Sequence, residues 1–498
     1  MNRKLLLTLL FLPLAALAQV TLLYRVAGQP SGTYNEASVA GADGATKTTV
    51  VSDLIFNRMG AKVEIKISTA YTEARDGHLT SVISDTSSSQ QTTHMDAEVA
   101  DASIHVTTTT GGKSYERTIP VSGTLLGPDS ARKLVVSHLH GAGDTFSYAT
   151  FSPEVGNIVT ITNSFVGSEP ITVDGEKIDA RKCEQSVSGM PAKETVWVDT
   201  RGWPLRELMP SPFGDIEAVR SNAPDAEQAS SKGASLPRES FTSSLVKANI
   251  PLTDARRIDE LKLKITHHRP ELGWPELNAD NQRVLEKTAN YVVLEVTRVE
   301  PAMTTATRPE QADAATGPYL SANALLQSDD AEIQRIAGQV AGNEHNAWRA
   351  AEALQRWTHD NMHFDLGIAI APASEVARNR RGTCFGYAMM LGSLTRAVGI
   401  PSRVRMGYVY AGGIWGGHAW VDVKIGDQWI PLDSAVYAPG SADAARFSFF
   451  TSSLEEGTLA GIGSLQQLFG NVDIEVLEYT ADGKHYEVQK GTFATANE

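Results

Sequence analysis

The hydrophobic pattern of this 498-residue chain changes period near residue 330. Ahead of that point the period is two. Lys62-Val63-Glu64-Ile65-Lys66-Ile67 alternates cleanly, as does Ser103-Ile104-His105-Val106, and Thr21 to Val26 has strand composition. β-Branched residues in alternation specify antiparallel strands with one wet face. Beyond residue 330 the period lengthens. Ile333, Ile336, Ala337 and Val340 fall on one helical face, and Ala347, Ala350, Ala351, Leu354 and Trp357 fall on the next. A third helix is expected from Thr383 to about Ala397, closed by Gly399 and Pro401. Strands then return over Arg403–Tyr410, His418–Ile425 and Gln428–Leu432. This order of elements is α+β, with antiparallel β-rich domains first and a mixed core after them.

The boundaries follow from composition. Residues 1–18 read as a secretory signal peptide. Arg3 and Lys4 precede the apolar run Leu5 to Leu14, and Ala16-Leu17-Ala18 offers a cleavage site before Gln19. That run is too short to span a membrane, and no later stretch of the sequence is long and apolar enough. The expected location is therefore periplasmic or secreted, with no integral membrane segment after cleavage. Residues 19–221 form an N-terminal β-rich domain, interrupted by one helix near Asp129 to His138. Residues 222–238 are linker by composition. A second β-rich segment covers 239–317, and 318–498 holds the remaining core with a C-terminal extension. The net charge of −14 makes a nucleic-acid partner a poor fit. Two cysteines exclude a disulfide scaffold and a Cys-rich metal site.

Cys384 lies at the first turn of the expected third helix. A helix N-terminus stabilises a thiolate and presents backbone N–H groups that can receive an oxyanion. By position alone it could equally be a small buried core residue. The downstream strands shift that balance. Alternation puts His418, Trp420 and Asp422 on one strand face. A two-residue turn at Gly426-Asp427 would set Asp433 opposite Trp420 and diagonal to His418. Asp422, four residues after His418 on the same strand, is too far along the strand to serve it. One hairpin can thus supply a base and the carboxylate that orients it, and a helix-start thiol facing it completes a Cys-His-Asp arrangement.

Three motifs carry a resemblance at this point. They are Arg381-Gly382-Thr383-Cys384 with Tyr387 three residues on, Gly417-His418-Ala419-Trp420-Val421-Asp422, and Trp429-Ile430-Pro431-Leu432-Asp433. In this order, with Arg396 to Arg403 between the first two, the segment 350–437 resembles the catalytic core of the transglutaminase-like superfamily. The resemblance implies a papain-like fold, a nucleophile helix packed on an antiparallel sheet. It implies Cys384 as nucleophile, His418 as general base and Asp433 as the orienting carboxylate. The implied activity is acyl chemistry on amides through a thioester, ending in hydrolysis or in transfer to an amine. A protein or peptide is the implied substrate, with a cell-envelope peptide as one option. No cofactor or metal is implied, since no acidic cluster resembles the family's calcium sites. The alternative is a binding or scaffolding protein that retains the fold without the chemistry. The amino-terminal region is loosely similar to the antiparallel sheets of periplasmic lipoprotein-carrier-like domains, a likeness of architecture alone.

Other candidates fit blander roles. His138 and His140 have the wrong spacing for a helical metal pair and read as solvated, as do the adjacent His267 and His268. His359 and His363, four apart, lack the glutamate of a zinc-protease motif. Cys183 reads as a small buried residue.

Overall fold

The computed structural model describes residues 18–221, 241–301 and 316–488, apart from residues 27, 59, 89, 212–214, 369 and 458–460, together with 495–496. Residues 1–17 of the expected leader and the whole 222–238 linker lie outside the described residues. Among those described, no helix is long and apolar enough to cross a membrane.

The amino-terminal region is one antiparallel sheet of fourteen strands. Eight form a meander from Ala18–Val26 to Lys113–Pro120, and six form a second from Thr145–Ser152 to Ile216–Arg220. The first and last strands pair, so the two meanders share one sheet. The helix expected near Asp129 runs Pro128–His138 between them. Its open N-terminus is closed by a strand residue: the Glu73 carboxylate accepts the Asp129 N–H at 3.1 Å and the Ser130 N–H at 2.8 Å. Gly127 is required there, because a Cβ would overlap the Glu73 side chain.

The remaining chain is α+β and built in three layers. Strands Ile414–Ile425 and Ser402–Ala411 lie at the centre of an antiparallel sheet, flanked by Val246–Lys247, Gln428–Leu432 and Arg446–Ser452. Helices Ala331–Ala341, Ala347–Asn361, Ala373–Asn379 and Cys384–Ala397 share one core with the Ala419, Val421 and Val423 side chains of this sheet. A second core joins Tyr408, Trp415 and Phe447 of the same sheet to Leu261, Leu263 and Val292. These last belong to a six-stranded sheet containing Ile258–His267, Tyr291–Thr297 and Val472–Ala481. The second β-rich segment and the C-terminal extension, separate by sequence, therefore complete one sheet. Period-two alternation shows that a strand exists but not which distant strand it pairs with.

The hairpin register matches the expectation: Ile425 pairs with Gln428 across a Gly426-Asp427 turn, and Val421 pairs with Leu432. His267 differs. It is buried and accepts the Arg269 N–H at 3.0 Å, with its ring edge-on to Trp274, because it ends a strand facing the second core. His268 is exposed beside Asp473.

Gly407 is the tightest point of the central sheet. A Cβ there would overlap the Phe447 carbonyl across the strand pair. Gly407→Ala should cost about 1–3 kcal/mol, because the carbonyl is fixed by its own ladder. Urea unfolding followed by tryptophan fluorescence checks this, and an unchanged midpoint would mean that the strands part freely there.

Candidate active site

Cys384 opens the helix Cys384–Ala397, with Thr383 as an extended N-cap at φ −78° and ψ −174°. Thr383 makes no side-chain cap hydrogen bond. Glycine lets the preceding strand touch this turn. A Cβ on Gly382 would lie 3.1 Å from the Gly386 Cα. Arg381–Gly382 is in turn paired with His363–Phe364, which fixes the approach to the helix.

His418 and Asp433 come together as the hairpin register demands. His418 Nε2 lies 2.7 Å from Asp433 Oδ2, both buried. Nδ1 is then the ring nitrogen left for Cys384, whose thiol hydrogen-bonds the imidazole. In the thiolate–imidazolium form Nε2–H donates to the carboxylate and Nδ1–H to the sulfur. The Ala419 N–H also donates to the sulfur. Burial pushes the Cys384 thiol up, but its bond to His418, the His418 charge, the Arg58 charge and the Ala419 N–H together hold it below the ordinary value. Burial lowers His418, but the charge and hydrogen bond of Asp433, with those of Cys384, together raise it to about 9. Burial would raise Asp433, but the charges of His418 and Arg446 keep it well below the usual carboxylate range.

Asp433 is held on every side. Its Oδ1 accepts the Ala435 and Val436 N–H groups at 2.9 and 3.0 Å, and its Oδ2 also receives Arg446 Nη1. Arg446 is buried and extends to Asp443 Oδ2 at 2.7 Å, which Arg256 meets at 2.8 Å. The helix Ala347–Asn361 fixes the loop from outside. Gln355 Nε2 donates to the Asp433 carbonyl at 3.1 Å, and His359 Nδ1 bonds the Ser434 carbonyl at 3.1 Å. His359 also stacks on Tyr437 at 4.3 Å, so it braces the loop, while His363 is exposed.

Asp422 shares the His418 face as expected, but it serves arginines. Its Oδ2 accepts Arg405 Nε at 2.6 Å and Arg403 Nε at 3.0 Å. Cys183 is free and buried against Leu139 and Phe165. Sequence reasoning missed Arg446, Asp443 and Arg58. For Arg446 a signal existed: one arginine followed by Phe447, Phe449 and Phe450, in a strand too apolar to leave a charge without a partner.

A helix-start thiol, an imidazole and a buried carboxylate on an antiparallel sheet define the papain-like class of site. Residues 334–434 match the family model of the Transglutaminase-like superfamily. No curated protein sequence matches the chain. Among solved structures, a candidate cysteine protease from Cytophaga hutchinsonii is 18% identical with a TM-score of 0.33, covering 47% of this chain and 90% of that one. A β-barrel-like domain of unknown function from Brucella abortus is 12% identical with a TM-score of 0.34, over 41% and 95%. A candidate protease from Parabacteroides distasonis is 11% identical with a TM-score of 0.19, over 70% of this chain and 64% of that one.

Removing one member of a buried ion pair leaves an uncompensated charge. Arg446→Met should therefore destabilise the protein by about 3–5 kcal/mol, and Arg446→Lys by less. Chemical denaturation measures both, and a loss under about 1 kcal/mol for the methionine variant would show that Asp433 does not depend on this arginine.

Proposed function

We propose that the chain is an exported thiol enzyme that acts on amide bonds through Cys384, His418 and Asp433. The observation that carries this reading is the 2.7 Å contact between His418 Nε2 and Asp433 Oδ2, with the other imidazole nitrogen on the Cys384 thiol. Cys384 is the nucleophile. His418 takes the thiol proton, or already holds it in the ion pair, and later gives it to the leaving amine. Asp433 keeps the imidazole oriented and stabilises its positive charge.

Attack of the sulfur on the amide carbonyl forms a tetrahedral oxyanion. In this reading the backbone N–H groups at the start of the Cys384 helix are the donors that receive the anion. Collapse expels ammonia or an amine, protonated by His418, and leaves a thioester on Cys384. Water or a second amine then attacks the thioester, with His418 as base, to give an acid or a new amide. The proposed substrate is a protein or peptide, and the leader pattern at Arg3 to Ala18 supports a periplasmic or secreted location.

The test uses mature protein and Cys384→Ala, each given glutamine peptides with and without a primary amine. Ammonia release that depends on Cys384 supports the reading, and amine incorporation would mark acyl transfer. Equal results from the two proteins across a panel of peptide amides would overturn it. His418→Ala should lower kcat by about 10²–10⁴-fold.

The pH dependence has a definite sign. Thiolate forms below the ordinary cysteine range, which sets the acid limb, and the imidazolium is lost near 9, which sets the alkaline limb. Asp433→Asn removes the charge that raises His418, so the alkaline limb should move to lower pH. Iodoacetamide labelling of Cys384 across pH reads the thiolate directly, and a midpoint near ~8.5 would contradict an activated thiol.

A further inference from the structure

The amino-terminal sheet carries negative charge on a face where its own residues leave that charge unbalanced. Leu139, at the end of the helix Pro128–His138, packs on Phe165 and Cys183, so these two strand residues mark the face that the helix lies on. The register extends that face across the sheet. Phe165 pairs with Cys183, Cys183 with Val196, Val196 with Glu207, Glu207 with Ala218, and Ala218 with Tyr24. Directly paired residues share a side, so Glu207 and Tyr24 stand on the helix side. One step along the strands, Asn163 pairs with Gln185, and Gln185 with Glu194. Glu194 lies two residues before Val196 and is therefore diagonal to Glu207 on the same face.

Two carboxylates so placed repel each other. Neither has a hydrogen-bond or ion-pair partner among the described residues, and no cation acts on either. Arginines nearby are already engaged. Arg132 pairs with Glu36 at 3.0 Å, Arg181 donates to the Val136 carbonyl at 3.4 Å, and Arg220 meets Asp199 at 3.2 Å. Burial raises Glu194 to about 6, and burial with the charges of Glu194 and Glu36 raises Glu207 to about 8. Both side chains are half-buried, so each keeps some surface open to solvent.

A separate observation on this face calls for a ligand. Asn163 is 5% exposed, its Oδ1 accepts Gln185 Nε2 at 3.0 Å, and its Nδ2 has no partner. A buried donor left without an acceptor costs about 1–3 kcal/mol. Asn163 stands in the row that ends at Glu194, so an oxygen on a molecule held by the carboxylates is placed to accept from it. Tyr24 adds an aromatic wall. Its ring is edge-on to Tyr34 at 6.4 Å, and the Glu207 charge reaches both phenols.

We propose that the helix side of the amino-terminal sheet binds a small alkylammonium ligand, with Glu194 and Glu207 receiving its N–H groups and Asn163 donating to an oxygen a few atoms away. A hard divalent ion takes six or more oxygen ligands, more than this row offers. An ammonium needs fewer acceptors, and its methylene groups and charge both suit a tyrosine face. The site requires no turnover at Cys384, so its failure and that of the proposed function are distinguishable.

Isothermal titration calorimetry on the full mature chain tests this with three linear probes of equal length. Aminobutanol, with both groups terminal, carries the ammonium and the oxygen. Pentylamine keeps only the ammonium, and butanediol has no charge. Aminobutanol should bind, pentylamine about tenfold more weakly, and butanediol with no measurable heat. Glu194→Gln and Glu207→Gln should each weaken aminobutanol about tenfold or more. Asn163→Leu should bring aminobutanol down to the level of pentylamine and leave pentylamine unchanged. Glu176→Gln, an equal change of charge at an exposed position of the same sheet, should leave every probe unchanged.

Absence of heat from both amines overturns the proposal, as does butanediol binding as tightly as aminobutanol. An unchanged affinity in both glutamine variants at positions 194 and 207 overturns it too, and either variant that keeps the circular-dichroism spectrum of the parent suffices for the test. An equal loss in Glu176→Gln would mean a general field with no site. Calcium chloride that binds and excludes aminobutanol would make the occupant a divalent ion and overturn the ammonium assignment.

Discussion

Asp433 is an ionised carboxylate with 2% of its surface exposed, and the site is organised around keeping it so. Burying a charge costs several kcal/mol unless partners replace water. Here two backbone N–H groups, an imidazole and a guanidinium do so. Each partner then creates a demand of its own. Arg446 is as buried as Asp433 and needs a second carboxylate, Asp443, which in turn needs Arg256. The result is a line of alternating charge running from the thiol to the far side of the core. A charge line of this kind fixes geometry more than it adds stability, since hydrophobic side chains of equal volume could fill the same space.

That line explains why the three layers depend on one another. Arg256 sits at the entry to the strand Ile258–His267, and its Nη2 donates to the Tyr410 carbonyl at 2.6 Å. The second β segment therefore contributes a charge to the chain of contacts behind His418. The same sheet buries apolar surface against Tyr408, Trp415 and Phe447. The face of the central sheet opposite the helices is thus covered, and His418 and Asp433 are shielded from water, which strengthens their interaction.

The hairpin of the candidate site was legible because its information is local. Alternation assigns His418 and Asp422 to one face, a two-residue turn sets the register, and the register brings Asp433 to His418. The helix start at Cys384 was legible for a similar reason, since Thr383, Gly399 and Pro401 mark its limits within a short window. What could not be read was pairing at long range. Arg446 reaches Asp433 from a separate strand, Val472–Ala481 pairs with Ile258–His267 across more than 200 residues, and Arg58 acts on Cys384 from another sheet. None of these contacts leaves a periodic trace, because each depends on how finished elements pack. His267 failed for a related reason. Adjacent histidines look solvated until a strand end turns one of them into a core.

The two cysteines show how much of the chemistry is environment. Burial is the largest single influence on both thiols, and in both it opposes ionisation. Around Cys183 only the Arg181 charge acts against it, and the thiol stays above its ordinary value. Around Cys384 the opposition comes from four sources at once: a hydrogen-bonded imidazole, its charge, a guanidinium and a backbone N–H. These influences are linked, since the Asp433 charge raises His418, and the charges of His418 and Arg446 in turn hold Asp433 low. The lowered pKa of the thiol is in that sense a property of the folded core, assembled from residues 58 to 446. A local motif around Cys384 could not produce it alone, which is why the Arg-Gly-Thr-Cys segment carries chemical meaning only together with the strands that follow it.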